Sequence, residues 1–254
     1  MRQKLGQHFL IRGSLLEKIA AAACPQREGL VVEIGAGRGA LTAKLLERAD
    51  RVVAIELDSY LAEHLRSKFR GEPRLEVIEG DVLEADLGQW GRVPIAGNLP
   101  YYITSPILER ITRLTPPRAV LLMQNEVAER LVANAGSRAY GFLTIQLAVR
   151  MEARLLFRVK PAAFHPPPKV DSAVVLLEPK REPPLVDDID AFLEFVGHCF
   201  RHKRKTLRNN LAEIYGKEAV ETWPEAGLRA EQLSIEQFQE LYLRIKASDA
   251  ERGC

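Results

Sequence analysis

Short apolar runs alternate with amphipathic stretches between Leu30 and about Met123. Residues 30–34 (LVVEI), 52–55 (VVAI), 75–78, 93–96 and 119–123 have the length and the Val/Ile content of buried strands. Between them, residues 39–48, 59–69 and 105–113 carry apolar positions at helical spacing. Strands and helices in alternation imply βαβ units, and hence a parallel sheet covered on both faces. A Pro- and Asp-containing stretch, residues 178–188 (EPKREPPLVDD), breaks this pattern and reads as a linker. Beyond it the texture is helical, with Ile189, Phe192, Leu193, Val196 and Phe200 on one face. Ser234 with Gln237 forms a capping-box pattern before a last helix that carries Phe238, Leu241, Tyr242 and Ile245. The expected architecture is a Rossmann-like α/β domain over residues 1–183 and a small all-helical domain over residues 184–254.

Composition narrows the class. The 254 residues are 46% apolar and 28% charged, enough to bury a core and too apolar for a disordered chain. A net charge of +2 announces no polyanion partner, so a nucleic-acid surface would have to come from local clustering. Cys24, Cys199 and Cys254 are far apart and show no metal-ligand spacing, which argues against a zinc site and against a disulfide framework. They read as reduced thiols of a cytosolic protein. No apolar run reaches the roughly 20 residues of a membrane span. The basic N-terminus lacks the apolar segment of an export signal.

Residues 33–39 read EIGAGRG, directly after the first strand and opening the first helix of the alternation. Glycine there admits positive φ and lets a ligand approach the backbone. Gly35 and Gly37 also satisfy the loose dinucleotide fingerprint, so the glycines alone leave nicotinamide and other nucleoside cofactors open, as well as a turn without a ligand. Glu33 favours S-adenosylmethionine, because an acid there suits a cationic ligand and repels a pyrophosphate. Glu56 ends the second strand, where a carboxylate can accept both ribose hydroxyls. Asp81 follows the third strand, where it can meet the adenine amino group; alone it would read as a solvated loop residue.

Asn98-Leu99-Pro100-Tyr101 (NLPY) follows the fourth strand at the same sheet edge. An exocyclic adenine amine is a poor nucleophile, since its lone pair is delocalised into the ring. The Asn98 side-chain oxygen and the Leu99 carbonyl could accept its two hydrogens, with Tyr101 stacked on the base. A β-turn with a packed aromatic is the plain alternative. Arg201, Lys203, Arg204, Lys205 and Arg208 place five cations within eight residues. If that run is helical, Arg201, Arg204, Lys205 and Arg208 share one face, while Leu207, Leu211 and Ile214 face a packing direction. No acid interleaves in the run, which favours an RNA backbone over a generic solvated face.

The motifs QHFL (residues 7–10), EIGAGRG, NLPY with YITSP, MQNEVA (residues 123–128) and FHPPPKVDS (residues 164–172) together resemble the ribosomal RNA adenine dimethyltransferase family, from about Gln3 to Ile245. The resemblance implies a class I methyltransferase fold, with S-adenosylmethionine as cofactor and no metal. It implies dimethylation of N6 of two adjacent adenosines in the 3′-terminal hairpin loop of small-subunit (16S) rRNA during late ribosome assembly. The implied setting is a cytoplasmic monomer acting on a pre-assembled subunit. By position, His8 and Leu10 match the segment that closes over the cofactor, and Gly35, Glu56, Asp81 and Asn98 match its other contacts. Phe164 matches an aromatic that sandwiches the flipped adenine opposite Tyr101. Two positions depart: His8 stands where relatives often carry Asn, and Asn125 where they often carry Lys. A macrolide-resistance methylase of large-subunit rRNA and a non-catalytic assembly factor on the same fold are the competing readings. Leu99, the PPPKVDSAVV run and the C-terminal helices favour the small-subunit group.

Overall fold

A computed structural model of the chain describes residues 7–252. The described residues form two compact units, 7–128 with 151–179, and 129–150 with 180–252. In chain order the first unit begins with β1 (Phe9–Leu10), α1 (Gly13–Ala23), β2 (Val31–Ile34), α2 (Ala40–Leu46), β3 (Val52–Glu56) and α3 (Ser59–Lys68). It continues with β4 (Leu75–Glu79), β5 (Ile95–Asn98), α4 (Thr104–Leu114) and β6 (Ala119–Gln124). After α5 (Asn125–Leu131) and α6 (Phe142–Ala148), the chain returns through β7 (Met151–Val159), β8 (Phe164–His165) and β9 (Ser172–Pro179).

The main sheet has seven strands in the order β4-β3-β2-β5-β6-β9-β7. The first five are parallel, as the alternating pattern predicts. The all-parallel expectation needs correction at one edge, where β9 and β7 run antiparallel. A bulge between Leu155 and Phe157 breaks the period-two alternation of β7, which hides that strand from pattern reading. Every residue of β2 and β3 is buried, as strands covered on both faces must be. Helix α1 buries Leu16, Ile19, Ala20 and Ala23, a stripe at i, i+3, i+4 and i+7. Each such Leu or Ile taken out of water contributes about 1.5–3 kcal/mol. A separate two-stranded ladder pairs Phe9 with His165 and Leu10 with Phe164, which docks the QHFL segment beside the FHPPP run.

The second unit contains α6 and, after the irregular residues 180–188, α7 (Ile189–Phe200), α8 (Leu207–Tyr215), α9 (Lys217–Glu221) and α10 (Ile235–Arg252). Phe192, Phe195 and Phe238 are its largest fully buried side chains. The capping box forms: Ser234 N–H donates to Gln237 Oε1 at 2.9 Å and Gln237 N–H donates to Ser234 Oγ at 3.3 Å. The division at 183/184 read from sequence differs from the structure, because residues 129–150 also belong to the helical unit. Tyr140, Ile145 and Val149 join its core, and helical periodicity alone does not say which core a helix serves. Ile214, expected to pack, is 41% exposed. Cys24 and Cys199 are free and buried; Cys254 and the basic residues before Gln7 lie outside the described residues. Among the described residues, no helix is long and apolar enough to cross a membrane.

Candidate active site

Because β4, β3, β2 and β5 are neighbours, their C-terminal ends bring Asp81, Glu56, the glycine turn and Asn98 side by side. The strand order reverses between β2 and β5, and an open α/β sheet takes its ligand at such a switch point. Gly35 has φ +70°, and a Cβ there would stand 3.0 Å from the Asn98 carbonyl oxygen. Gly37 has φ +57°, and a Cβ would meet the Phe9 ring at 3.0 Å. Only glycine lets the turn pass this closely between the NLPY strand and the QHFL segment.

A cleft enclosing about 850 Å³, part of it open to solvent, is lined by His8, Leu10, Glu33, Gly35, Gly37, Glu56, Asn98 and Tyr101, with Leu99 and Pro100. A second cavity is lined by Asp81, Leu57, Val82 and Tyr102 and shares Gln7, Gly35, Glu56 and Pro100 with the first. The sequence-predicted cofactor residues therefore converge on two adjoining cavities. Asp81 accepts from Leu83 N–H at 2.8 Å, which fixes its carboxylate in the loop.

Glu56 is 5% exposed and bridges two backbone donors, Gly37 N–H at 2.8 Å and Asp58 N–H at 3.0 Å. Its carboxyl is raised from the ordinary value by burial, against these hydrogen bonds. This bridge discriminates between cofactors. A dinucleotide fold offers the turn's N–H groups to a pyrophosphate, but here the Gly37 N–H is taken by a carboxylate that would repel one. S-adenosylmethionine fits better: acceptors for ribose hydroxyls and a glycine cradle free of Cβ atoms, with no pyrophosphate to be repelled.

Glu33 is 1% exposed and accepts from the Thr42 hydroxyl. Burial pushes its carboxyl up to about 8, with Thr42 opposing and the Glu56 charge reinforcing. The group therefore holds its proton between its ordinary value of 4.5 and about 8, a window in which the unfolded chain has already lost it. The folded state binds the extra proton, so stability is greatest at the acid end and falls as pH rises, by up to about 1.4 kcal/mol per pH unit. Glu33→Gln, which keeps an acceptor for Thr42, is expected to lose this decline in denaturant titrations between about pH 5 and pH 8. Parallel stability curves for the two proteins would contradict the assignment.

Asn98 ends β5, and its Nδ2 donates to the His8 carbonyl at 2.9 Å. Donation by Nδ2 leaves Oδ1 as the acceptor of the side chain. Leu99 N–H is held by Leu122 O at 2.9 Å, and the Pro100 carbonyl accepts from Thr104 Oγ1 at 3.0 Å, so the tetrapeptide is braced at both ends. Tyr101 Oη and Ser172 Oγ share a hydrogen bond of 2.6 Å. Burial raises the Tyr101 phenol, which keeps it neutral and makes it an aromatic wall rather than a base.

Two expectations change. Phe164 is 3% exposed, sits in the core and lines neither cavity, because β8 turns Phe164 inward and His165 outward. The ring found beside Tyr101 is His8, with centroids 5.8 Å apart. The basic run is not one helical face: Arg201 to Lys205 form the turn between α7 and α8, and only Arg208 lies in α8. Arg201 pairs with Glu213 at 3.6 Å and Arg208 with Glu221 at 4.0 Å, acids that follow the run in sequence. Lys203 Nζ donates to the Arg138 carbonyl. All five cations are exposed, and Arg204 and Lys205 pair with no acid among the described residues. Sequence reasoning missed Gln7, Thr42, Tyr102 and Ser172; Gln7, Tyr102 and Ser172 sit inside motifs already noted, while Thr42 carries no spacing signal.

Residues 1–247 match the family model described as ribosomal RNA adenine dimethylase. A ribosomal RNA small subunit methyltransferase A of Prosthecochloris aestuarii is 41% identical over 252 residues, which cover 97% of this chain and 94% of the relative. The protein of the same name from Leuconostoc mesenteroides is 38% identical, with 96% and 90% covered. Among solved structures, a dimethyladenosine transferase from Plasmodium falciparum superposes with TM-score 0.82 at 30% identity, covering 94% of this chain and 98% of its own. The 23S rRNA methyltransferase ErmE gives TM-score 0.72 at 28% identity, with 94% and 99% covered. With that match over nearly its whole length, and with the glycine turn, Glu56, Asp81 and NLPY gathered at one sheet edge, the chain belongs to the ribosomal RNA adenine dimethylase family.

Proposed function

We propose that this protein transfers methyl groups from S-adenosylmethionine to N6 of two adjacent adenosines in the 3′-terminal hairpin loop of small-subunit rRNA, within a pre-assembled subunit. The observation that carries this reading is Asn98: its amide is oriented by the His8 carbonyl, and the residue lines the cavity that also holds the glycine turn and Glu56. Bound there, S-adenosylmethionine supplies a methyl group on a cationic sulfur.

Asn98 Oδ1 and the Leu99 carbonyl accept the two hydrogens of the adenine amine and direct its lone pair toward the cavity. Tyr101, neutral and pinned by Ser172, presents a flat wall to the base. No side chain has to form a covalent bond to substrate. Relatives named for the small subunit are 38% and 41% identical to this chain, against 28% for the 23S enzyme, which supports the small-subunit target over the large. Incubation with S-adenosylmethionine and under-methylated small subunits, followed by nucleoside chromatography, is expected to yield N6,N6-dimethyladenosine. Methylation at a pyrimidine or at ribose would refute the chemistry.

The α7–α8 turn is the proposed phosphate-binding segment, with Arg204 and Lys205 at its centre. Replacing both by Ala is expected to weaken RNA binding and to flatten its salt dependence by about 0.7–0.9 in log–log slope for each phosphate no longer neutralised, with cofactor affinity unchanged. An unaltered slope would remove the turn from the interface.

A further inference from the structure

Arg38 has no part in the chemistry above, yet it lines the larger cavity. It follows Gly37 in the glycine turn, its side chain is exposed, and its guanidinium lies 4.7 Å from the centre of the Phe9 ring. Both halves of this stack are anchored. Phe9 is paired with His165 in the small ladder, and the Arg38 carbonyl accepts from Lys68 Nζ at 2.8 Å.

Stacking uses the face of a guanidinium and leaves its N–H edges available. Among the described residues, no carboxylate pairs with Arg38. The two acids of the cavity do not neutralise it: Glu33 and Glu56 are buried, and each is engaged by Thr42 or by backbone N–H groups. A flat cationic fork, held by an aromatic ring and without a counter-charge, matches the two oxygens of a carboxylate or a phosphate.

We propose that Arg38, held against Phe9 beside the glycine turn, is an oxyanion-binding residue of this cavity. The proposal rests on the S-adenosylmethionine-dependent RNA methylation reading, which offers two such oxyanions. One is the amino-acid carboxylate of the cofactor; the other is a phosphodiester flanking the target adenosine.

The experiment compares the wild-type chain with Arg38→Gln and Arg38→Lys. Calorimetry is run with S-adenosylhomocysteine and with 5′-methylthioadenosine, which lacks the carboxylate, and hairpin RNA binding is measured across a salt series. If the oxyanion is the cofactor carboxylate, Arg38→Gln weakens S-adenosylhomocysteine about tenfold and leaves 5′-methylthioadenosine unchanged. If it is a phosphate, both cofactor affinities hold, RNA binding weakens about tenfold, and the salt slope drops by about 0.7. In either case Arg38→Lys, a charge without the fork, retains part of the affinity. Arg38→Gln behaving as wild type toward all three ligands overturns the proposal. So does an equal loss for all three, including 5′-methylthioadenosine, since that marks a structural role. A wild-type chain that binds no S-adenosylhomocysteine overturns the underlying reading and the proposal with it, whereas wild-type binding with an indifferent Arg38→Gln overturns the proposal alone.

Discussion

Asn98→Ala is expected to lower the methyl-transfer rate by about 100- to 1,000-fold while the chain still folds, the cost of removing one preorganised hydrogen-bonding group from a transition state. The side chain has two separable duties. Its Nδ2 donates to the His8 carbonyl, and its Oδ1 is the acceptor proposed for the amine. Loss of the first costs about 1 kcal/mol of stability, since the bond is part-buried and water can replace the donor. Loss of the second falls on turnover. Single-turnover kinetics with saturating RNA, together with a thermal melt, separates the two. A variant that melts almost like wild type and methylates at a near-normal rate would remove Asn98 from the reaction.

Glu56→Ala is expected to raise the Kd for S-adenosylmethionine by at least about 100-fold, through two linked losses. The ribose loses its acceptors, and the turn loses the carboxylate that accepts from Gly37 N–H at 2.8 Å. Because Asp58 N–H is also released, the start of α3 loosens with the turn. Glu56→Gln is a sharper probe: one amide oxygen can serve only one of the two oppositely placed donors, so affinity falls although size is preserved. Calorimetry on both variants measures this directly, and a Kd within a few-fold of wild type for Glu56→Ala would contradict the placement of the ribose.

The parts of this site that were legible in the sequence are those fixed by local backbone demands. Gly35 and Gly37 announce positive φ, Glu56 and Asp81 announce the ends of successive strands, and Pro100 announces a turn. Parallel strand order then places them together with no further information. What stayed hidden depends on long-range partners. The antiparallel pairing of β7 and β9 needs contacts across the sheet, and the bulge in β7 disguises its alternation. The acids facing Arg201 and Arg208 lie on α8 and α9, beyond the basic run, so a window of eight residues shows an unpaired patch where the fold supplies Glu213 and Glu221. A motif marks Phe164, yet strand parity decides which way it points, and in β8 it points into the core. The raised carboxyl of Glu33 likewise follows from burial that no spacing rule displays.

The most direct test of the central claim is radiolabelled methyl transfer from S-adenosylmethionine to under-methylated small subunits, large subunits and naked rRNA in parallel. Label is expected in small-subunit RNA alone, recovered as N6,N6-dimethyladenosine from two adjacent positions. Label in large-subunit RNA, or none in any of the three from a chain that binds the cofactor, would contradict it.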